Sequence, residues 1–217
     1  MKSATSLSPP PPAGAVEAYY RRHAQIYDAT RWSFLFGRTA ILRDISAAGT
    51  PSRILEVGCG TGRNLAALCR HFPRAMVTGV DLSEAMLERA RQKTAPFGRR
   101  VSLVGRAYAA PLRAGGFDLV LFSYALSMFN PGYEAALAAA QRDLAPGGHV
   151  AVVDFHDTRL PVFAQWMGLN HVRMDGQLQG PLRARFERVS ERVHSAYGGV
   201  WRYLMFVGRK PARGIPL

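Results

Sequence analysis

Lysine and cysteine are scarce in this sequence, and no apolar run is long enough to cross a membrane. Only three of the 28 basic residues are lysines, and there are only two cysteines. Cys59 and Cys69 lie in a glycine-rich turn and on the helix predicted after it, where they are poorly placed to bridge each other. No cysteine or histidine pair has the spacing of a metal site. These absences predict a reducing compartment and no metal centre.

Long apolar segments are missing as well. The longest nearly apolar run, residues 117–129, contains Asp118 and is too short to span a bilayer. The N-terminus carries Lys2 without an apolar core behind it, so no secretory signal is predicted. We therefore expect a cytoplasmic protein whose membrane contact is at most peripheral.

Acidic residues are outnumbered by basic ones, 15 to 28, which gives a formal net charge of +13. Such a balance favours an anionic partner, namely phosphate, acidic lipid or nucleic acid. A general preference for arginine over lysine would produce the same balance. Charge alone therefore does not choose the partner.

The 217 residues, 48% of them hydrophobic, suffice for one domain with a substantial core. Residues 1–13 are rich in serine and proline and predict a disordered or polyproline II tail. The remainder, 14–217, is predicted to be a single domain. It comprises N-terminal helices within 14–48 and a core over 50–210.

Strand-like and helix-like patterns alternate along that core. The run 150–153 is apolar throughout, as in a parallel sheet covered on both faces. Segments 189–197 and 200–207 flank Gly198-Gly199 and predict a β-hairpin. These patterns predict an α/β fold, a doubly wound, seven-stranded, mostly parallel sheet with an antiparallel C-terminal strand, preceded by helices. The predicted helices span 16–29, 33–48, 63–71, 83–94 and 131–144, and the predicted strands before the hairpin span 53–57, 76–80, 101–104, 117–122 and 149–155.

The most informative segment is the glycine turn with Gly58, Gly60 and Gly62, which an apolar strand enters and an amphipathic helix leaves. Glycine tolerates positive φ and lets backbone approach a nucleotide-like ligand, and the new helix offers free N–H groups. Dinucleotide sites read GxGxxG, but position 63 here is Arg. With Glu56 just ahead, the turn resembles the first motif of the class I S-adenosylmethionine (SAM) methyltransferases. The resemblance implies an enzyme with a Rossmann-like core that uses SAM and releases S-adenosylhomocysteine.

The second strand ends at Asp81, 23 residues after Gly58. A carboxylate there can accept both ribose hydroxyls, although a helix cap or a loop contact would also explain it. In the family the next residue, here Leu82, lies near the adenine. After the third strand the family often carries an acidic residue for the adenine amine, whereas this chain has Arg106-Ala107, and arginine cannot accept a hydrogen bond.

The fourth strand ends at Ser123 and Tyr124, which should border the methionine end of the cofactor, since ligands bind beyond the carboxyl ends of parallel strands. A packed aromatic is the alternative for Tyr124. The candidate cofactor-binding residues are Tyr19, Tyr27, Arg31, Glu56, Gly58, Gly60, Asp81, Leu82, Met86, Arg106, Ala107 and Ser123.

Substrate choice in this fold is expected from segments added to the core. Residues 19–38 and 154–176 resemble the N-methyltransferases that trimethylate diacylglyceryl-homoserine to betaine lipid. They resemble bacterial phosphatidylethanolamine N-methyltransferases more loosely. The resemblance implies a lipid amine acceptor and places the helices of 14–48 over the active site.

An amine must lose a proton before it attacks, and His156 or Tyr27 is expected to accept it. The catalytic candidates are thus Tyr27, His156 and Tyr124, with helix packing as the alternative for Tyr27 and a strand-end hydrogen bond for His156. Aromatic rings would hold the methylated cation. The candidate substrate or membrane residues are Trp32, Phe34, His171 and Arg173.

The amphipathic N-terminal helices and the basic C-terminal part predict peripheral binding to an anionic membrane, on the inner face of the cell membrane. Alternatives are a methyltransferase for a soluble small molecule or a quinone-like ring, and an RNA modifier or SAM-binding module, which the net charge favours. Asn130-Pro131-Gly132-Tyr133 resembles the tetrad of nucleic-acid adenine methyltransferases, but it falls about eight residues past the strand, and proline in a first helical turn explains it better. We therefore expect no nucleic-acid partner.

Overall fold

In the computed structural model, residues 35–129, 131–169 and 172–211 can be described. Predictions for the tail, for the first N-terminal helix, and for His171 lie outside these ranges. The same holds for the remaining candidates of the N-terminal segment, which are Tyr19, Tyr27, Arg31, Trp32 and Phe34.

Seven strands and six α-helices form the described part of the chain. The strands are β1 (Arg53–Val57), β2 (Met76–Asp81), β3 (Val101–Gly105), β4 (Phe117–Ser123), β5 (Leu144–Asp157), β6 (Glu187–Ala196) and β7 (Trp201–Arg209). The helices are α1 (Arg38–Ala48), α2 (Arg63–His71), α3 (Glu84–Thr94), α4 (Tyr133–Asp143), α5 (Pro161–Leu169) and α6 (Gln179–Arg185).

The strands form one sheet in the order β3-β2-β1-β4-β5-β7-β6. The first five strands pair in parallel, and β7 pairs antiparallel with both β5 and β6. The chain moves outward from β1 to β3, then returns to the other side of β1 with β4. This reversal creates a crevice beyond the carboxyl ends of β1 and β4, the usual ligand position in open α/β sheets. The predicted class I methyltransferase fold is confirmed.

Two apolar layers cover the sheet, because successive strand residues point to opposite faces. On β1, Ile54 belongs to the layer that α1, α2 and α3 complete, whereas Leu55 and Val57 belong to the layer that α4 and α6 complete. All three of these side chains are fully buried. The near-continuous apolar runs of the central strands are explained by this double coverage.

Most boundaries lie within two residues of the sequence prediction, whereas the beginnings of α1 and β5 differ from it by five. Helix α1 begins at Arg38 rather than 33, because Gly37 precedes it with φ of 79°. A Cβ at Gly37 would lie 2.7 Å from the Tyr203 ring, so this turn packs tightly on β7. Helix α4 is shorter than predicted, and β5 begins at Leu144 rather than 149, since Leu144 already pairs with Phe117.

Two helices after β5, α5 and α6, had no counterpart in the sequence prediction. Neither shows a strong alternation of apolar and charged residues. Among the residues that the structure describes, no helix combines the length and the apolar character that crossing a bilayer requires.

Candidate cofactor and active site

The glycine turn places its main-chain atoms at the crevice beyond the carboxyl ends of β1 and β4. Gly58, Gly60 and Gly62 have φ values of 70°, 52° and 77°, a region that favours glycine. The N–H groups of Gly58 and Cys59 both donate to the carbonyl of Val80, which ties the turn to β2.

The three glycines of the turn differ in what a side chain would meet at each position. A Cβ at Gly58 would lie 2.8 Å from the Cβ of Ala125, and one at Gly62 would lie 3.0 Å from Ala90 on α3. A Cβ at Gly60 would meet nothing within 4 Å. Gly58 and Gly62 therefore permit close packing of the protein on itself, whereas Gly60 leaves open space at the turn where a ligand can approach.

Asp81 fastens the turn from the end of β2. Its Oδ2 accepts from the Gly60 N–H at 2.8 Å, and its Oδ1 accepts from the Ser83 N–H at 2.9 Å. Burial raises the pKa of this carboxyl, and the N–H groups of Ser83 and Gly60 oppose that shift. The loop contact considered in the sequence analysis is therefore present. Each carboxylate oxygen has a second acceptor position, so ribose hydroxyls can still be bound.

Glu56 is a buried acid beside this turn. Burial raises the pKa of its carboxyl to about 8, while a hydrogen bond with the Asn64 side chain and the charge of Arg38 oppose the shift. Its Oε2 is buried and accepts no hydrogen bond within the described part of the chain. Such an atom costs free energy unless a ligand satisfies it, so Glu56 is suited to a cationic group.

Arg38 was not among the predicted site residues, yet its charge acts on both Glu56 and Tyr124. Its guanidinium carbon lies 6.0 Å from the centre of the Tyr124 ring. The residue follows the Gly37 turn that packs on β7, and 18 residues separate it from Glu56 in the sequence. Only the fold brings the two together, so no local pattern could have identified Arg38.

The side chains expected near adenine differ in their surroundings. Leu82 is 63% exposed next to Asp81, so its apolar surface is available to a planar ring, whereas Met86 is buried on α3. The guanidinium of Arg106 donates to the carbonyls of Ala110 and Pro111 at 3.0 and 2.8 Å. Arg106 therefore shapes the loop after β3, while the neighbouring Ala107 is exposed there.

At the end of β4, Ser123 is buried, and its Oγ has no hydrogen-bond partner among the described residues. Tyr124 is buried with φ of 56°, and its ring packs edge-on against Phe155. Its hydroxyl donates to the carbonyl of Phe36 at 2.8 Å. This geometry favours a structural role for Tyr124, which fixes the Phe36–Gly37 turn against β4, over the predicted catalytic one.

His156 lies near the carboxyl end of β5. Burial lowers the pKa of its imidazole, so the ring is neutral at pH 7, and Nδ1 has no hydrogen-bond partner in the described ranges. The Gly176 N–H donates to the His156 carbonyl, and a Cβ at Gly176 would lie 3.2 Å from the imidazole. A neutral, buried imidazole with a vacant acceptor nitrogen can take a proton.

The segment after α5 passes the carboxyl ends of β4 and β5. The Arg173 N–H donates to the Ser127 carbonyl, and the Ser127 N–H donates to the buried Asp154 on β5. Burial raises the pKa of Asp154 to about 6. The Arg173 side chain is exposed and pairs with Asp175. The backbone of Arg173 therefore lies over β4 and β5, while its charge faces outward.

Residues 54–148 match the family model of a methyltransferase domain. A demethylmenaquinone methyltransferase of Staphylococcus aureus is 36% identical over 134 residues, which are 61% of this chain and 54% of that protein. The matched residues include the glycine turn and Asp81, so this part of the chain is similar to methyltransferase domains. The chain spans about half the length of the curated relatives it matches.

Solved structures share the architecture of this chain. The N-methyltransferase NodS from Bradyrhizobium japonicum, in complex with S-adenosylhomocysteine, superposes with a TM-score of 0.74 at 21% identity, over 90% of this chain and 98% of that one. The 1,6-didemethyltoxoflavin N1-methyltransferase of Burkholderia thailandensis superposes with a TM-score of 0.70 at 21% identity, over 94% and 93% of the two chains. At these identities the likeness concerns the fold alone.

The polar groups around the glycine turn fit the chemistry of SAM. The open side of Gly60 admits a ligand to main chain, and the unsatisfied Glu56 oxygen can receive the ammonium of an amino-acid group. Asp81 lies between them and the exposed Leu82. The family match includes all four of these residues and ends before His156.

Proposed function

We propose that this protein transfers methyl groups from SAM to the amine of a membrane lipid head group, with diacylglyceryl-homoserine as the acceptor. The observation that supports the cofactor is the open turn at Gly60, bordered by Asp81 and by a buried Glu56 without a full set of partners. The acceptor is supported by the sequence resemblance of residues 19–38 and 154–176 to betaine-lipid N-methyltransferases, and a phosphatidylethanolamine amine is the related alternative.

Bound SAM supplies an electrophilic methyl group on a sulfonium. The Glu56 carboxyl binds the ammonium of its amino-acid end and is ionised in that complex, and Arg38, whose charge acts on Glu56, binds the carboxylate. Asp81 accepts the ribose hydroxyls while it holds Gly60, and Leu82 covers one face of the adenine. These residues would hold the cofactor in one orientation, which aligns the reacting groups.

The acceptor amine loses a proton to His156 before or during attack. The neutral imidazole can accept it at Nδ1, which has no partner among the described residues. His156 lies near the carboxyl end of β5, beyond the last residue that pairs with β4, and its contact with Gly176 supports a position on the acceptor side of the crevice. Tyr27, the other candidate base, remains a prediction from sequence.

A quinone-like ring is the second candidate acceptor. The specific observation in its favour is the 36% identity to a demethylmenaquinone methyltransferase. A ring acceptor also has to lose a proton, so the same imidazole would act as the base.

The test offers the purified protein radiolabelled SAM and three acceptors in parallel: diacylglyceryl-homoserine in mixed micelles, demethylmenaquinone in the same micelles, and short-chain water-soluble amines. We expect label in the lipid amine only, with mono-, di- and trimethyl products separated by chromatography. Label in the quinone alone would replace the lipid proposal with the second candidate. Label in the soluble amines alone would overturn both.

A further inference from the structure

The most apolar exposed surface of the described chain is on α5. This nine-residue helix contains no Asp, Glu, Lys or Arg. Val162 and Leu169 on it are 79% and 82% exposed, and Trp166 and the preceding Leu160 are exposed as well. We call these four side chains the α5 patch. Helices that face water normally carry charged residues on the exposed side, so this patch indicates a contact surface.

We infer that the α5 patch is the surface by which this protein sits on an anionic lipid bilayer. The inference rests on the proposed lipid acceptor and names the surface through which that acceptor is reached. The sequence prediction assigned membrane contact to the N-terminal helices, to the basic C-terminal part and to Arg173, and it named no side chain of α5 for that contact.

The charges around the patch favour lipid over other partners. Arg159 precedes the helix and Arg173 follows it, and both are exposed, with Arg173 also paired with Asp175. Residues 156–217 contain ten basic and four acidic side chains. An apolar helix with basic residues beyond both ends suits the boundary between acyl chains and anionic head groups. A nucleic acid would need basic side chains on the helix itself.

Ring contacts connect the patch to the candidate active site. Trp166 lies 5.8 Å from Phe163, and Phe163 stacks on Trp201 at 5.3 Å. Trp201 lies 6.1 Å from Phe36, whose carbonyl binds the Tyr124 hydroxyl at the end of β4. A continuous aromatic wall therefore runs from the exposed helix to the crevice.

The test measures sedimentation of the full chain with vesicles of phosphatidylcholine, with and without phosphatidylglycerol. The patch variant is V162Q/L169Q, in which both substituted side chains are largely exposed, so folding is preserved. The matched control is M76Q/V189Q, since Met76 and Val189 are exposed apolar residues at the other end of the strands. Thermal unfolding and S-adenosylhomocysteine binding are measured for all three proteins.

We expect the patch variant to bind anionic vesicles at least about ten-fold more weakly than the wild type, because two apolar side chains lose their burial in the bilayer. The control should bind like the wild type. Equal vesicle binding by the patch variant and the wild type would overturn the inference. So would a wild-type dimer that the patch variant dissociates, because the patch would then be an interface between copies.

The same proteins separate this inference from the proposed function. Patch-dependent vesicle binding by an enzyme that methylates no lipid amine would support the surface and overturn the proposed acceptor. Lipid methylation with vesicle binding that does not depend on the patch would overturn the surface and leave the proposed acceptor in place.

Discussion

The glycine-turn region, β1 to β4, and the region that begins with β5 position their polar groups in different ways. In the first region Asp81 binds Ser83 and the Gly60 turn, and β2 anchors that turn, so these contacts lie within the single unit β1–α2–β2 and the residues just after it. In the second, His156 meets Gly176 from beyond α5, and Asp154 meets Ser127 from beyond β4. The family match includes the first region and ends at residue 148. The comparison separates a candidate cofactor site built within one strand–helix–strand unit from a candidate acceptor site to which the segments after β4 and α5 contribute.

The largest effect is expected from Gly60→Val in the first region. A side chain there occupies the open space at the turn and strains a φ of 52°. We expect SAM affinity to fall at least about 100-fold by isothermal titration, because the ligand and the side chain compete for the same volume.

The matched control is Gly98→Val, which has nearly the same φ of 54° and equally open surroundings in the loop after α3. It should lose similar stability in thermal unfolding and keep its affinity for SAM. Equal affinities for the two variants would contradict the assignment of Gly60.

His156→Gln tests the second region alone. We expect kcat to fall about 100-fold, as for loss of a general base, while SAM affinity stays unchanged. In the wild type the rate should rise with pH through the His156 pKa, which lies below its ordinary value of about 6.5, and stay level above neutrality. His149→Gln is the control, because burial also lowers the pKa of His149 but it lies at the amino end of the pairing with β4. A kcat for His156→Gln equal to that of the control would remove His156 from the chemistry.

Asp81→Ala tests the role of this carboxylate in the first region. Loss of the carboxylate removes the acceptor for Gly60 and the proposed contacts to ribose, so we expect SAM affinity to fall about 10- to 100-fold. Asp118 provides a matched control, since it too accepts two backbone N–H groups, those of Ser52 and Arg53. It lies at the amino end of β4, away from the crevice. Asp118→Ala should lower stability without a change in SAM affinity. The reverse pattern would contradict the assigned role.

Glu56 links the first region to pH. Its carboxyl, with a pKa of about 8, is mostly protonated at pH 7, and a bound ammonium favours the ionised form. SAM binding at pH 7 should therefore release close to one proton, and SAM affinity should rise as pH approaches 8. Titration in buffers of different ionisation enthalpy measures this release. Glu56→Gln should abolish it, and an unchanged release in that variant would refute the coupling.

The smallest expected effect belongs to Tyr124→Phe. Removal of the hydroxyl loses one hydrogen bond to the Phe36 carbonyl, which costs about 1 kcal/mol of unfolding free energy. We expect kcat to stay within two-fold of the wild type. A large loss of kcat at unchanged stability would restore the catalytic role predicted from sequence.

The strands and the glycine turn could be predicted because their causes are local. The sequence itself shows the three glycines, which have positive φ, the apolar run ahead of them and Asp81 at the end of the next strand. The beginning of β5 could not be read in the same way, since Leu144 joins the sheet through its pairing with Phe117 across the chain.

Arg38 and the α5 patch could not be predicted from local sequence either. Arg38 acquires its significance from the approach of α1 to Glu56, and α5 carries no alternation that marks a helix face. Tyr124 was readable as an aromatic at a strand end, but only its contacts with Phe36 and Phe155 distinguish packing from chemistry.

The most direct test of the account is a crystal structure of the protein with S-adenosylhomocysteine. The account predicts ligand density over Gly60, with the ribose hydroxyls within hydrogen-bond distance of Asp81 and the ammonium against Glu56 Oε2. Well-defined ligand density at another place, with water alone over Gly60, would contradict it.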